Sequence, residues 1–249
     1  MLYTLARHGW MLLQWIELTI LTVPMYLLAC LPGDWTHNFY PKLFRLWSQV
    51  FVHALGVDLR LHQKNIAPLP PVYIMIANHP SAFEDIGIPA LFDVASLAKE
   101  EVRHWWISGK ISEAAGTLFV KRECRDSRSA AKQQIMDALR RGRSVALYPE
   151  GGCKGKRLFE SFRYGAFDIS LQTGIPIVPV YIHYESQNDF AWPDGVSVVE
   201  KMLDFMRSQN PRANYYLYDA FDPNTFNDVE HYTQHVHDKY QEWQRRYLD

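Results

Sequence analysis

The chain is poor in cysteine, and its charges balance. Its 249 residues include three cysteines, Cys30, Cys124 and Cys153, which lack the spacing of a disulfide framework or a zinc site. Lysine and arginine total 26 and aspartate and glutamate total 27, so the basic excess that broad nucleic-acid binding requires is missing. Internal repeats and low-complexity tracts are also missing. These absences favour a protein of a reducing compartment with no metal site and no nucleic-acid partner.

The N-terminal fifth of the chain, in contrast, is strongly apolar. The run from Trp10 to Leu31 would form a helix of about 33 Å, close to the thickness of the hydrocarbon core of a bilayer, although two polar residues and Pro24 interrupt it. A second apolar helix is predicted over Tyr40 to Leu55. We therefore expect residues 1–55 to form a helical hairpin for membrane attachment and residues 56–249 to form the main domain. The alternative is an ordinary hairpin buried against that domain.

Beyond the hairpin, short apolar runs alternate with helical patterns. Such alternation predicts an α/β fold, with a mixed sheet flanked by helices. One of these runs contains Pro176 and Pro179, which favours an irregular or edge strand because proline cannot donate to a neighbouring strand. The seven predicted strands are Val57–Leu61, Val72–Ala77, Ala95–Lys99, Gly116–Lys121, Ser144–Tyr148, Ile175–Tyr184 and Asn214–Ala220.

The segment Ala77 to Asp85, with the sequence ANHPSAFED, directly follows a predicted buried strand. His79 at the end of that strand has the chemistry of a general base, and Glu84 or Asp85 could orient its ring and stabilise the imidazolium. The alternative is a structural histidine followed by the charged first turn of a helix, where the helix dipole favours acids. Ser81 could be a nucleophile, but no glycine-flanked turn surrounds it, and a helix cap is the better interpretation.

Three further segments carry distinctive residues; in two of them polar groups follow a predicted strand. Gly116 to Arg122 ends in the cations Lys121 and Arg122. The segment Tyr148 to Gly152 carries Glu150 beside the glycine pair Gly151 and Gly152, and Gly174 to Val180 is the strand with two prolines.

With the first segment, these resemble, in order and spacing, the four sequence blocks of the glycerolipid acyltransferase family, whose best-known members are 1-acylglycerol-3-phosphate acyltransferases. The resemblance covers about Trp47 to Tyr184 and includes the stretch Ser161 to Phe167. It implies a membrane-associated enzyme that moves a fatty acyl group from acyl-CoA or acyl carrier protein, as co-substrate, to the free hydroxyl of lysophosphatidate or a related lysolipid, with no cofactor. For such an enzyme the expected location is the cytoplasmic face of the inner or cell membrane.

The resemblance also implies roles for individual residues. It assigns the general base to His79 and acceptor binding to Arg122 and the Glu150–Gly151 block, with Glu150 contacting a glycerol hydroxyl. For a phosphate-bearing acceptor, Lys121 and the backbone N–H groups of Gly151 and Gly152 are expected to assist Arg122. The alternative for Arg122 is a surface ion pair with a neighbouring acid.

Two positions depart from the family pattern. The family usually has aspartate five residues after the histidine, where this chain has Glu84; some relatives have the longer spacing, so Asp85 is the preferred partner and Glu84 the alternative. Gly152 replaces a frequent threonine and is followed by Cys153 and Lys154. These changes keep a lyso-aminolipid without phosphate open as the acceptor. Two further alternatives are a lipid or thioester hydrolase and a non-catalytic lipid-binding protein.

Overall fold

The computed structural model of the chain describes residues 2–31, 33–36, 39–153, 155–193 and 195–248. Lys154, named above, lies outside these ranges. The strands are β1 (Asp58–Gln63), β2 (Ile74–Ala77), β3 (Ala95–Lys99), β4 (Leu118–Val120), β5 (Val145–Leu147), β6 (Ile177–Tyr184) and β7 (Arg212–Leu217). The helices are α1 (Leu2–Ala29), α2 (Gly33–Thr36), α3 (Tyr40–Ala54), α4 (Glu84–Leu91), α5 (Glu100–Arg103), α6 (Ser108–Ala114), α7 (Arg125–Arg140), α8 (Gly165–Thr173), α9 (Gln187–Phe190), α10 (Val198–Arg207) and α11 (Val229–Leu248), and a 3₁₀ turn covers Pro223–Thr225.

The seven strands form one mixed sheet in the order β1-β7-β6-β2-β5-β3-β4. Neighbouring strands are parallel except for β6 and β7, so β1 and β7 run against the other five. The predicted α/β sheet flanked by helices is therefore confirmed, and all seven strands lie within a few residues of their predicted positions. Because β2 and β5 are parallel neighbours, with Ile76 opposite Leu147, the segments that follow them emerge side by side.

The predicted strand with two prolines corresponds to β6. It is irregular, as predicted, but it is not at an edge of the sheet. Strand β6 lies between β7 and β2, near the centre of the sheet. Pro176 precedes the strand, and Pro179 sits where the ladder to β7 is interrupted between the pairs Ile177–Phe221 and Val180–Leu217. The β7 side has one more residue between these pairs than β6 has, which is a β-bulge. The missing N–H of proline is accommodated there, while the Pro179 carbonyl accepts the N–H of Tyr218 at 3.2 Å.

Helices cover both faces of the sheet. One core contains residues of α3, α4 and α10, and the other contains residues of α7, α8 and α11. Helix α11 is tied to the central strands by the hydroxyl of Tyr240, which is fully buried and donates to the carbonyls of Ile76 at 2.8 Å and Val180 at 3.2 Å. These contacts hold the ends of β2 and β6 in place.

Helices α1 and α3 pack against each other. The indole N–H of Trp47 donates to Thr22 Oγ1 at 2.8 Å, and Tyr40 donates to the carbonyl of Met25 at 2.8 Å. Helix α3 in turn bonds to the end of α4, where Gln49 donates to the carbonyl of Ala90 at 2.9 Å. The helical pair is thus fixed directly beside α4, the helix on which Glu84 is the first residue.

The outer face of α1 is apolar and exposed. Residues Ala6–Ala29 are long and apolar enough to cross a membrane by length and composition, and 22% of the most apolar window is buried. A core helix of a soluble protein would be mostly buried instead. Large apolar residues that are exposed on the described part of this helix include Trp10, Leu12, Leu13, Ile16, Ile20, Val23 and Leu27.

Candidate active site

His79 is held at the end of β2 by its neighbours. The side-chain amide of Asn78 exchanges two hydrogen bonds with the backbone of Ile182 on β6, at 2.9 and 2.7 Å. The backbone N–H of His79 donates to Oε1 of Glu150 at 2.7 Å. These bonds fix the main chain at Asn78 and His79, and His79 is 7% exposed.

The carboxylate that orients His79 is that of Glu84. Oε2 of Glu84 lies 2.8 Å from Nδ1 of His79, so Nε2 is the ring nitrogen left for a substrate. The preference for Asp85 as the partner is therefore wrong. Helix α4 begins at Glu84, which is fully buried, whereas Asp85 is exposed. Residues one apart on a helix point about 100° away from each other, so only one of the two carboxylates can face the ring.

The turn between His79 and α4 explains why Glu84 faces inward. The backbone N–H of Ser81 donates to Oε2 of Glu84 at 3.0 Å, and Oγ of Ser81 accepts the N–H of Phe83 at 3.2 Å. Ser81 is fully buried and stabilises this turn just before the helix. Its position supports a structural role and not that of a nucleophile.

The ring of His79 stacks on that of Tyr148, which follows β5; the ring centroids are 4.1 Å apart and the planes differ by 9°. Burial lowers the pKa of His79, and the nearby carboxylates of Asp85 and Glu150 raise it again in part. Burial raises the pKa of Glu84 well above its usual range, while hydrogen bonds from Tyr184 and the Ser81 N–H oppose that rise. The imidazole therefore favours its neutral form, which is the form that can act as a base.

Glu150 accepts hydrogen bonds from two backbone N–H groups. Its Oε1 accepts the N–H of His79 at 2.7 Å, and its Oε2 accepts the N–H of Phe159 at 2.9 Å. Glu150 is 4% exposed. Both oxygens thus join the His79 segment to the loop that follows Gly152, and contact of Glu150 with a glycerol hydroxyl stays a prediction.

Two guanidinium groups meet at Gly151. Arg122 donates to the carbonyl of Gly151 at 2.9 Å. Gly151 has a positive φ of 72°, and a Cβ there would overlap Nε of Arg163. The N–H of Gly151 donates to the carbonyl of Tyr148 at 3.0 Å. The expectation that this N–H assists Arg122 in binding a ligand is therefore wrong. A Cβ at Gly152 would meet nothing within 4 Å, so that residue borders open space.

A cavity of about 370 Å³ opens beside these guanidinium groups and Tyr148. Among the described residues that line it, Arg122, Arg125, Arg128, Lys132 and Arg163 are cationic and none is acidic. Lys121 is exposed and is not part of this lining. The alternative for Arg122 was a surface ion pair with a neighbouring acid. Among the described residues, Arg122 forms no such ion pair. A cavity with this charge suits a ligand that carries an anion.

The sequence interpretation missed three residues of this arrangement. Asn78 lies inside the first block, but the sequence suggests no role for it. Its side-chain amide joins β2 to β6. Arg163 lies in the quoted stretch from Ser161 to Phe167, but its approach to Gly151 depends on the loop before α8. Tyr184 donates to Oε1 of Glu84 from 100 residues away, and no local pattern could indicate that contact.

Taken together, the site can remove a proton from a hydroxyl held next to Nε2 of His79. Glu84 is placed to stabilise an imidazolium, and the cationic cavity, which Tyr148 also lines, suits an anionic group.

The chain is similar in sequence to known acyltransferases. A family model described as Acyltransferase matches residues 58–183, about half of the chain. The chain is 32% identical over 154 residues to the lyso-ornithine lipid O-acyltransferase of Pseudomonas aeruginosa, a match that covers 62% of this chain and 58% of that protein. It is 26% identical over 130 residues to the 1-acyl-sn-glycerol-3-phosphate acyltransferase of Neisseria gonorrhoeae, covering 52% of this chain and 51% of that protein. The chain thus aligns with little more than half the length of these relatives.

The fold is also that of a solved structure. The crystal structure of the 1-acyl-sn-glycerophosphate (LPA) acyltransferase from Thermotoga maritima superposes with a TM-score of 0.67 and 19% identity, covering 94% of this chain and 97% of that one. This similarity concerns the fold. It includes the N-terminal helices as well as the sheet, since it extends over nearly the whole chain.

Proposed function

Because the chain belongs to the acyltransferase family, we propose that it transfers a fatty acyl group from a thioester donor to the free hydroxyl of a lysolipid at a membrane surface. The observation that carries the proposal is the buried pair of His79 and Glu84, 2.8 Å apart, beside a cavity with five cationic side chains. The thioester donor is acyl-CoA or acyl carrier protein.

In the proposed mechanism, Nε2 of His79 takes the proton of the acceptor hydroxyl as the hydroxyl oxygen attacks the thioester carbonyl carbon. The tetrahedral intermediate collapses, the carbon–sulfur bond breaks, and the imidazolium returns its proton to the departing thiolate. Glu84 stabilises the imidazolium between these two steps. A direct transfer without an acyl-enzyme agrees with the buried, hydrogen-bonded position of Ser81.

The cationic cavity favours lysophosphatidate as the acceptor. Arg122 donates to the carbonyl of Gly151, and Arg163 lies against the Cα of Gly151; both line the same cavity and are the proposed ligands of the phosphate. Guanidinium groups suit a phosphate because each planar group can donate two parallel hydrogen bonds to it.

A lyso-ornithine lipid is the second candidate acceptor. It is favoured by the similarity to the Pseudomonas aeruginosa enzyme, whose name gives that activity. Asp85 is exposed, lies near His79 and does not orient the ring, so its carboxylate is the proposed partner for the ammonium group of an ornithine. The carboxylate of the ornithine would then face the arginines.

Membrane attachment is proposed through α1. Its exposed apolar face lies on the helix pair that α3 bonds to α4, so insertion of α1 would bring the His79 site to the lipid surface. The cytoplasmic face is the side of the membrane that we propose.

The test is an acceptor panel with purified full-length chain and labelled palmitoyl-CoA, with lysophosphatidate, lyso-ornithine lipid or no acceptor, in vesicles. Transfer to one acceptor, lost by at least about 100-fold in His79→Ala, supports the proposal. Acceptor-independent release of palmitate, abolished by the same substitution, would instead identify a hydrolase. Lipid binding with no turnover by the wild type would identify a non-catalytic protein.

Two matched substitutions then separate the acceptors. Arg163→Gln should raise the KM for lysophosphatidate by about 10-fold or more, the value of a lost charged hydrogen bond, and Lys121→Gln should raise it less because Lys121 lies outside the cavity. Asp85→Asn should raise the KM for lyso-ornithine lipid alone. Equal effects of Arg163→Gln and Lys121→Gln would contradict the assignment of the cavity to the acceptor.

A further inference from the structure

The carboxylate of Glu84 is held by more than the His79 ring and the turn before α4. The hydroxyl of Tyr184 donates to its other oxygen, Oε1. Tyr184 is the last residue of β6 and is 2% exposed, and its ring stacks on that of Phe190 with the centroids 4.2 Å apart. The hydroxyl is therefore fixed by the sheet on one side and by an aromatic stack on the other.

A second buried phenol supports the first. The hydroxyl of Tyr215, on β7, lies 3.4 Å from that of Tyr184, and Tyr215 is fully buried. Gly87 lies one turn after Glu84 on the same face of α4, and a Cβ there would overlap the hydroxyl of Tyr215. The sequence thus leaves room on α4 for the phenol groups. A hydroxyl beside an ionised carboxylate in a buried site stabilises the charge, which would otherwise be costly.

We propose that Tyr184 is a positioning residue for catalysis: its buried hydroxyl holds the Glu84 carboxylate in the place from which that carboxylate orients His79. The proposal rests on the proposed function, in which His79 is the base. It extends the pair to a chain of contacts from the His79 ring through Glu84 to a residue of β6, so that the position of the base is set by the sheet as well as by its own loop. The phenol touches neither substrate nor the reacting atoms.

The pH dependence of the pair gives the proposal a specific signature. The form able to take a proton contains an ionised Glu84 and a neutral His79, and the Tyr184 hydroxyl stabilises that form most. Removing the hydroxyl favours a proton on the pair and moves the acid limb of kcat/KM to higher pH. The other charged or titratable groups around the pair stay unchanged: Asp85, Lys99, Arg122, Tyr148, Glu150, Cys153 and Tyr215.

The test compares Tyr184→Phe with Tyr232→Phe in the full chain, using palmitoyl-CoA and the acceptor that the wild type uses. Both substitutions keep a buried ring and remove one buried hydroxyl, but that of Tyr232 bonds to the carbonyl of Phe221, far along the chain from Glu84. Tyr184→Phe should lower kcat by about 10- to 100-fold, with little change in acceptor KM, and shift the acid limb upward. Tyr232→Phe should leave the position of the acid limb where it is in the wild type.

A second measurement does not depend on turnover. In protein labelled with ¹⁵N-histidine, the His79 signals, assigned by their loss in His79→Gln, report the tautomer and the pKa of the ring. Tyr184→Phe should change both, and Tyr232→Phe neither. Unchanged His79 signals in a folded Tyr184→Phe protein would overturn the inference, as would equal acid limbs in the two variants. If the wild type transfers no acyl group, the proposed function fails while the His79 spectrum still decides the inference.

Discussion

The ring of His79 lies flat against the ring of Tyr148, with centroids 4.1 Å apart. These residues follow β2 and β5, which are parallel neighbours, so the stack forms because two strand ends meet at one edge of the sheet. Tyr148 covers one face of the imidazole and keeps water from it. The stack and the contact with Glu84 together define the orientation of the imidazole.

Tyr148→Ala should therefore lower kcat more than Tyr148→Phe, which keeps the stacked ring. Loss of the stack leaves His79 freer to leave the productive geometry, and a displacement of about 1 Å can cost on the order of 100-fold in rate. Steady-state kinetics of both variants check this expectation. If Tyr148→Phe proved as impaired as Tyr148→Ala, the hydroxyl and not the ring would be the important group.

Glu84→Gln and Asp85→Asn should differ sharply at neutral pH. Gln at position 84 cannot stabilise an imidazolium by charge, and its amide group can present N–H to the ring nitrogen that Glu84 now bonds. We expect a loss of about 100-fold or more in kcat for Glu84→Gln, within the range that general-base catalysis contributes. Asp85→Asn should keep most of the activity toward lysophosphatidate. The opposite ranking of the two variants would restore Asp85 as the partner.

Asp85 still influences the pH at which the site works. Burial lowers the pKa of His79, and the negative charge of Asp85 raises it. Asp85→Asn removes that charge, which makes a proton on the His79–Glu84 pair less favourable, so the acid limb of kcat/KM should move to lower pH. This is opposite in direction to the shift expected for Tyr184→Phe. A pH–rate profile between about pH 5 and 8, which brackets the ordinary pKa of histidine, measures both shifts; an upward shift in Asp85→Asn would contradict the electrostatic account.

The sheet could be predicted from the sequence because each strand is a short apolar run between turn residues. The place of His79 at a strand end, beside a carboxylate, could be predicted because His79 directly follows such a run. The choice between Glu84 and Asp85 could not, since it depends on where α4 begins: one residue of difference in the helix start rotates the other carboxylate toward the ring. Family spacing alone left that choice open, and the geometry decides for the position that most of the family uses.

The role of Glu150 was hidden for a different reason. A glutamate beside two glycines after a strand indicates an exposed ligand group as readily as a backbone clamp. Only the adjacency of β2 and β5 brings Oε1 to the N–H of His79. The contact of Tyr184 with Glu84 is even harder to predict, because it joins β6 to α4 across 100 residues of sequence. Contacts of this kind follow from topology, which local patterns do not specify.

Glu150→Gln should lower both stability and activity. The carboxylate accepts two backbone N–H groups, and the amide of glutamine would point N–H toward one of them, leaving a buried donor unpaired at a cost of about 1–3 kcal/mol. Because one of those donors is His79, kcat should fall as well. Chemical denaturation and kinetics together check the prediction. An increase in acceptor KM with no loss of stability would support direct contact between Glu150 and the acceptor instead.

Gly151→Ala should weaken acceptor binding, and Gly152→Ala provides the matched control. Gly151 has a φ of 72°, a conformation that costs an alanine roughly 1–2 kcal/mol. The added Cβ would also displace Arg163 from its place against Gly151, and the neighbouring carbonyl that Arg122 bonds would move with the turn. At Gly152 the backbone has no positive φ and an added Cβ meets nothing within 4 Å.

We therefore expect Gly151→Ala to raise the KM for the acceptor by about 10-fold, the value of one disturbed charged hydrogen bond, and to lower the free energy of unfolding. Gly152→Ala should change neither quantity appreciably, because its backbone N–H and the shape of the turn are kept. Adding Arg163→Gln to Gly151→Ala separates the two causes. If Gly151→Ala acts through Arg163, the double variant should bind the acceptor no worse than Arg163→Gln alone. Additive losses would mean that the turn itself, and not the arginine, contacts the acceptor.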